Sequence, residues 1–545
     1  MPTLDFKGKP LVYSHHLTVP ARTLEVDGKK SLPPKGKKPS LDDNLIIHGD
    51  NLHALKALLP RYGGRVNCIC IDPPYNTGSE GWIYNDNVNS PMMKEWLKNK
   101  SPVDGEDLER HDKWLCMMWP RLQLLKELLA DDGFIFIFLD DNEHHRLRMI
   151  LDEIFGENSF VGVIAWKKTS GDNKPAFAFT HDNIIIYGKG AELPRQPLTP
   201  EQRENYSNPD NDPRGDWSPG DYRSRWTKEE RPNLYYAIAN PNTGEKIYPD
   251  THTDSLRVWG SSRDVHKQNE KDGLVWWGKD GRATEPRKKR FLSDHKGANT
   301  RSVWVDAGTN DEAGGLLLHI LPNNKFDNPK PISVIKRVIQ LATKPNDIIL
   351  DSFAGSGTTA HATLALNKED GGNRKFILVE CEEYADKVTA ERVRRVVKGV
   401  KKAKDKDLQS GLGGSFAYCT LGDEINAENM LTGKKLPSYE TLARHVFWTA
   451  TGQSPDKLRK TRDKDGFFYE TSDRLFYLIY EPKLAFLRSP DSALNSDRAG
   501  RISKQAKSKK KEAVVFATHK FMGQKELTEM GITFCGLPYG VNGLG

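Results

Sequence analysis

The chain has 545 residues, 37% of them hydrophobic and 28% charged, more than one hydrophobic core organises, so two or three globular domains are expected. No apolar run approaches the ~20 residues that cross a bilayer, and the opening MPTLDFKGKPLVYSHH lacks the apolar stretch of a secretory signal, so a cytoplasmic chain with no membrane partner is expected. Six cysteines without a CxxC pair argue against a metal site or a disulfide framework, and the net charge of +7 permits a polyanionic partner without requiring one.

Residues 1–43 are rich in Lys, Pro and Gly (KKSLPPKGKKPSLDD) and read as an N-terminal arm, with regular structure beginning at Leu45. Across 44–190, the short apolar runs LIIHGD, VNCICIDPP, GFIFIFLDD, FVGVIAWKK and NIIIYGK alternate with helical patterns. That is the texture of a doubly wound α/β sheet whose strands are buried on both faces. The stretch HDKWLCMMWPRLQLLKELLADDG predicts a helix interrupted at Pro120 and stopped by Asp131-Asp132-Gly133, and His144 and His145 open the next helix as surface residues. From 191 to 320 the composition shifts to Gly, Pro, Asn, Trp, Tyr and Arg, as in NLYYAIANPNTGEKIYPD and GLVWWGKDG, which predicts a separate β-rich insertion. Over 321–420 the first texture returns: helix PISVIKRVIQLAT, strand DIILDSF, a glycine-rich turn, helix TTAHATLALN and strand FILVECEE. One sheet is therefore expected to be assembled from two separated parts. Region 421–545 reads as α+β, with a helix at YETLARHVFWTATG, a hairpin at GFFYETSDRLFYLIYEP and a basic stretch leading into VVFATH. Basic clusters at 287–290, 392–406 and 504–511 read as solvated faces or linkers.

Two motifs carry chemistry. The first is Asp351-Ser352-Phe353-Ala354-Gly355-Ser356-Gly357-Thr358-Thr359 between a strand and a helix, where glycines let backbone approach a ligand at a helix N-terminus. A lone Gly-x-Gly is also an ordinary strand-to-helix turn. Here no Lys follows the loop, unlike a phosphate-gripping P-loop, and Glu380 ends the next strand, 25 residues after Gly355, where an acid suits ribose hydroxyls. The second motif is Asp72-Pro73-Pro74-Tyr75, directly after VNCICI. Two prolines remove backbone donors, so the Asp72 carboxylate and the Pro73 carbonyl present acceptors alone. An exocyclic amino group can donate one hydrogen to each, and Tyr75 offers a flat face for a base.

Together and in this order, DPPY and DxFxGSGTT resemble the amino-methyltransferases of DNA, in the β-class permutation that puts the catalytic half first. The further stretches LIIHGDNLHAL, LDDNEHHRLRMILDEIFG, GLVWWGKDGRATEPRKKRFLS and FDNPKPISVIKRVIQLAT are similar to the modification subunits of type III restriction-modification systems, over residues 40–400. The resemblance implies a Rossmann-like methyltransferase sheet, an S-adenosylmethionine cofactor, an inserted target-recognition domain, double-stranded DNA as substrate, a homodimer, and a helicase-nuclease restriction subunit as partner. Carried over by residue, Asp72, Pro73, Pro74 and Tyr75 match the catalytic tetrapeptide. Asp351, Phe353, Ala354, Gly355, Ser356, Gly357 and Thr358 match the cofactor loop, and Glu380 the ribose ligand. Phe326, Asn328, Pro329 and Lys330 fit the segment that closes over the methionine end, and Asp50 the position facing the adenine ring.

The resemblance further implies transfer to N6 of a flipped-out adenine. Methylation at C5 of cytosine is disfavoured because none of the six cysteines follows a proline. N4 of cytosine shares the geometry, although Ser is the usual first residue of that motif. RNA or protein amides, and a DNA-binding specificity subunit dependent on a partner, are the other readings. Recognition is expected from the insertion, which interleaves Arg214, Arg223, Arg225, Arg257 and Arg282 with Trp217, Tyr222, Trp226, Trp259, Trp276 and Trp277. Glu481-Pro482-Lys483 after Asp473 reads as an ion-paired exposed strand rather than a nuclease motif, and no Walker sequence is present.

Overall fold

The computed structural model describes residues 3–78, 109–169, 177–190, 192–251, 257–323, 326–459 and 463–537. It separates into two compact units, one of residues Met1–Leu193 with Arg301–Gly545, the other Pro194–Thr300.

The larger unit is organised by a ten-stranded sheet. In chain order its strands are β1 (Arg22–Leu32), β2 (Leu45–His48), β3 (Val66–Ile71), β4 (Leu129–Leu139), β5 (Phe160–Lys167), β6 (His181–Gly188), β7 (Val303–Trp304), β8 (Ile348–Asp351), β9 (Lys375–Glu380) and β10 (Phe416–Glu424). Their spatial order is β1-β10-β2-β9-β8-β3-β4-β6-β5-β7, so β8 and β9 from the second half of the sequence lie between β2 and β3 from the first. The strands from β10 to β4 run parallel, while β6 and β1 are antiparallel to their neighbours. This is the sheet of two separated parts read from the sequence.

Burial on both faces explains the unbroken apolar runs. Along β3, Ile69 and Ile71 join one core, which the helices Asn51–Tyr62, Arg110–Leu128 and His144–Phe155 cover, while Cys68 and Cys70 join the opposite one. That second face is covered by Ile332–Ala342 and Thr358–Asp370 through Val334, Ile335, Val338, Ile339, Ala362 and Leu366. Beside it, Leu317, Ile320, Val393 and Val396 close the core over Ile46, Phe376 and Leu378.

Four expectations are corrected. Regular structure begins before Leu45: β1 pairs with β10, setting Leu24 opposite Leu421 and Val26 opposite Cys419. The helix Arg110–Leu128 runs through Pro120 without a break, because its whole turn is buried in Trp114, Met118, Trp119 and Leu122, which outweighs one lost backbone bond. Asp131-Asp132-Gly133 lies inside β4, not at the helix end. Residues 301–320, assigned above to the insertion, belong to the larger unit, contributing β7 and the helix Asn310–Ile320.

The unit Pro194–Thr300 is built from short antiparallel pieces: Trp217–Asp221, Arg287–Phe291 and Val275–Trp276 form one sheet, and Arg223–Thr227 pairs with Arg257–Trp259. Its core is Tyr222, Tyr236, Ile238, Ile247, Trp259 and Trp277. The C-terminal segment holds a second sheet in which Phe467–Glu470 and Arg474–Leu478 make the expected hairpin, and Glu512–Ala517 and Ile532–Gly536 then add in parallel. After the hairpin, Lys483 pairs with Glu481 at 3.7 Å on the surface, but in a connecting turn rather than in the strand expected for it.

Leu350, fully buried in β8 between β9 and β3, carries the packing of the sheet centre. Leu350→Ala is expected to cost about 2–5 kcal/mol, measured by denaturant titration, whereas Leu318→Ala on the exposed face of Asn310–Ile320 leaves the midpoint in place.

Candidate active site

Four adjacent parallel strands, β2, β9, β8 and β3, deliver four acidic residues from their carboxyl ends: Asp50 two residues beyond β2, Glu380 closing β9, Asp351 closing β8 and Asp72 one residue beyond β3. Register fixes the alignment, with Glu380 opposite His48, Asp351 opposite Leu378 and Leu350 opposite Ile69. Ligands of open α/β sheets bind beyond these ends.

The glycine loop between β8 and the helix Thr358–Asp370 is held from below and behind. Gly355 and Gly357 adopt φ of 50° and 79°, and a Cβ at Gly357 would come within 3.1 Å of the Thr389 carbonyl. Glu380 Oε2 accepts from the Gly355 N–H at 2.7 Å, and Oε1 from the Glu382 N–H at 3.0 Å. Asp351 accepts from the Phe353 N–H at 3.1 Å and the Thr359 hydroxyl at 2.6 Å. Under the loop lies Arg392, fully enclosed, donating to the hydroxyls of Ser356 and Thr358 at 2.8 Å each. The Thr389 hydroxyl, on a π-helical turn, donates to the Gly355 carbonyl at 2.6 Å. The solvated face expected at 392–406 thus begins with a buried cation, since Arg392 lies on the apolar side of Glu391–Lys398 with Val393 and Val396.

The tetrapeptide is anchored independently. Trp114 Nε1 donates to the Pro74 carbonyl at 2.7 Å, and the Tyr75 hydroxyl donates to Asp182 Oδ2 at 3.1 Å, whose other oxygen accepts from Lys168 Nζ at 2.6 Å. Asn76, buried at a left-handed φ of 59°, donates to the Arg110 carbonyl at 3.3 Å. Asp72 Oδ2 meets Lys330 Nζ at 2.5 Å, and Oδ1 is buried without a hydrogen-bond partner among the described residues. Lys330 Nζ lies 5.1 Å from the Tyr75 ring centre.

One cavity of about 50 Å³ unites the two motifs, lined by Asp72, Asp351, Phe353, Ala354, Gly355, Ser356 and Thr358 together with Phe326, Asn328, Pro329 and Lys330. Phe326 stands over Gly355, 3.1 Å from where a Cβ would be, and packs edge-on against Tyr384 at 5.5 Å. Tyr75, Pro73, Pro74, Gly357 and Glu380 flank this cavity without lining it. Asp50 caps the helix Asn51–Tyr62 through the Leu52 and His53 N–H groups, with Arg121 at 3.6 Å. The sequence reading missed Lys168, Asp182, Trp114, Thr389, Arg392 and Arg121, and none of them sits in a recognisable local pattern. Among the described residues no group of three or more His, Cys, Asp and Glu side chains is placed to hold a metal ion, and no helix is long and apolar enough to cross a membrane.

Residues 66–391 match the family model N6_N4_Mtase, described as DNA methylase. The chain is 34% identical over 382 residues to the StyLTI Mod subunit, a type III restriction-modification enzyme of Salmonella typhimurium strain LT2, covering 65% of this chain and 57% of that one. It is 28% identical to the EcoPI Mod subunit of Escherichia phage P1, covering 81% and 73%, and 32% identical to the type II methyltransferase M.KpnI of Klebsiella pneumoniae, covering 62% and 80%. The chain therefore spans a little over half the length of the StyLTI relative.

Burial sets the electrostatics of the strand ends. It raises the Asp351 carboxyl to about 7, against the hydrogen bonds from Thr359 and Phe353, and also raises Glu380; it lowers Arg392 to about 9. An acid whose folded-state value lies above its ordinary one favours its protonated form in the fold, so stability is lost as pH rises from the ordinary Asp range to about 7. Asp351→Asn is expected to flatten that decline between pH 4 and 7, read as melting temperature against pH.

Proposed function

The chain belongs to the N6_N4_Mtase family of DNA methylases, and from this premise we propose that it transfers a methyl group from S-adenosylmethionine to the exocyclic amino group of a DNA base, N6 of adenine. The observation that carries the reading is the single cavity lined by Asp72 on one side and by Gly355, Ser356 and Thr358 on the other, which brings an amino-group acceptor and a cofactor loop to one place.

The residues present fit the cofactor. Glu380, already aligned by two N–H groups, retains acceptor capacity for ribose hydroxyls. Gly355 and Gly357 leave two positions of the loop without side chains, and Asp351, Phe353 and Ala354 complete it. Phe326, Asn328 and Pro329, with the backbone of Lys330, would close over the methionine end, and Asp50 would face the adenine ring. S-adenosylmethionine supplies an electrophilic methyl group on a sulfonium, and the protein supplies position and electrostatics.

Asp72 Oδ1, buried without a hydrogen-bond partner among the described residues, accepts one amino hydrogen, and the Pro73 carbonyl accepts the other. Satisfying both favours a more pyramidal nitrogen, whose lone pair then points at the methyl carbon. The methylated nitrogen is acidic enough to release its proton to solvent after transfer, so Asp72 orients and stabilises charge rather than acting as a strong base. Tyr75 stacks on the extruded base, its ring fixed by the hydroxyl bond to Asp182, and Pro74 is fixed by Trp114. Adenine is favoured over cytosine because the tetrapeptide opens with Asp rather than Ser. The likeness to Mod subunits of type III restriction-modification enzymes supports a role in such a system, and we propose a cytoplasmic enzyme that acts on double-stranded DNA as a homodimer beside a helicase-nuclease restriction subunit, as the family resemblance implies.

Recognition is assigned to the unit Pro194–Thr300, on fewer residues than its composition offered. Trp217, Tyr222, Trp259 and Trp277 are core, Arg214 pairs with Asp212 at 2.7 Å, and Arg223 with Glu285 at 2.9 Å. Trp226 remains 38% exposed, with the guanidinium carbons of Arg225 and Arg231 each 5.3 Å from its ring. Lys228 lies 4.0 Å from the Tyr235 ring, which stacks on exposed Tyr248. Cations on aromatic faces suit phosphate contact beside stacking.

Genomic DNA from cells expressing this chain is expected to carry N6-methyladenine in one sequence motif, and the Asp72→Ala variant to leave that motif unmodified, read by single-molecule sequencing. N4-methylcytosine would retain the mechanism and change the base, whereas no mark from folded wild-type protein would overturn the reading. Replacing Arg225 and Arg231 together by Ala is expected to reduce the salt slope of DNA binding by about two, with S-adenosylmethionine affinity unchanged.

A further inference from the structure

We propose that Lys330 is a positioning residue for Asp72, holding one carboxylate oxygen so that the other is presented to the amino group of the target base. The proposal rests on the reading of the cleft as an amino-methyltransferase site, and it assigns the Lys330 ammonium a duty distinct from closing over the cofactor.

Two observations support it. The first is how Asp72 uses its two oxygens: Oδ2 is 2.5 Å from Lys330 Nζ, whereas Oδ1 is buried with no hydrogen-bond partner of good geometry among the described residues, the Tyr75 hydroxyl also lying beside this carboxylate. A buried acceptor left open beside a charge-assisted bond is costly in a finished core and useful in a site awaiting a donor. The second is the backbone that carries Lys330. Asn328 adopts a left-handed φ of 50°, Pro329 fixes the next φ, and Pro331, the N-cap of Ile332–Ala342, restricts Lys330 itself to extended conformations. A chain stiffened at consecutive residues, one of them in a conformation that β-carbons disfavour, is a scaffold for placing one side chain. The Lys330 side chain is only 10% exposed, and its ammonium also sits 5.1 Å and 5.8 Å from the ring centres of Tyr75 and Phe138, which limits it to one direction.

Lys330 therefore belongs to the amino-group side of the cavity. Its charge offsets that of Asp72, so the ion pair contributes geometry more than field, and its loss lets the carboxylate rotate away from the nitrogen.

The test compares wild type, Lys330→Met and Lys330→Gln with tritiated S-adenosylmethionine and unmethylated bulk genomic DNA, alongside calorimetric titration of S-adenosylmethionine alone. Lys330→Met is expected to lower kcat by about a hundredfold while the cofactor Kd stays unchanged. Lys330→Gln, which keeps a donor within reach of Oδ2, is expected to retain part of the rate at the same Kd, and it carries the test if the Met variant does not fold. A cofactor Kd weakened in step with kcat, or a kcat equal to wild type in both variants, would overturn the positioning role. Wild type that methylates no DNA would instead overturn the proposed function, and this proposal with it.

Discussion

Everything in the candidate site depends on the register of four parallel strands. A sheet residue has no freedom to choose where its strand stops once its neighbours are paired, and here the pairing of β2, β9, β8 and β3 makes Asp50, Glu380, Asp351 and Asp72 emerge along one edge. A slip of one residue in β8 would turn the side chains of Ile349 and Leu350 to the opposite cores and move the glycine loop away from Asp72. The fully buried apolar residues of these strands thus do more than stabilise the domain. They set the distance between the tetrapeptide and the loop, and so the size of the cavity between them.

Around that edge the protein places buried polar groups that ordinary packing would exclude. Arg392 is enclosed without a carboxylate partner among the described residues, offering donors to Ser356 and Thr358, and burial pulls its value down to about 9. A buried charge with neutral partners is costly. It is tolerated where a loop rich in glycine, with two left-handed residues, must keep one shape before any ligand arrives. Thr389, on a π-helical turn, completes the same support from the next segment. The tetrapeptide has further anchors of its own in Trp114 and Asp182, beside the strand pairing it shares with the loop, and the two motifs face each other across the cavity.

The sheet, its assembly from two separated parts and the adjacency of the two motifs were legible because each rests on a strong local signal: continuous apolar strands, paired prolines, and glycines before a helix. Asp72 and the loop residues were named from their motifs, and Phe326, Asn328, Pro329 and Lys330 through the family resemblance, and the structure brings them around one cavity. What was hidden has a common physical reason. Lys168, Asp182, Trp114 and Arg392 act through contacts between elements far apart in sequence, and nothing in their own neighbourhoods distinguishes them from core or surface residues. β1 was hidden differently: the alternation of Leu24 and Val26 is genuine but short, and the flanking Lys, Pro and Gly dominate the composition. The tryptophans of the insertion misled in the opposite direction, because residue types suited to stacking on bases are equally suited to building a small core, and only Trp226 among those singled out remains open to solvent to any large extent.

The place where the insertion enters the chain gives the arrangement its logic. It leaves after β6 and returns before β7, strands that lie beyond β4 at the far side of the sheet from β2 and β9. Its own aromatic core means that it contributes nothing to the register of the catalytic strands, and a compact module with its own core can change sequence without disturbing its host. The tetrapeptide and the glycine loop, by contrast, share cores on both faces of one sheet and cannot change independently. On the proposed function, a division of this kind lets the residues assigned to DNA recognition vary while those assigned to the amino group and the cofactor stay fixed. The constraint therefore falls on the strand ends, and the freedom on the module inserted between β6 and β7.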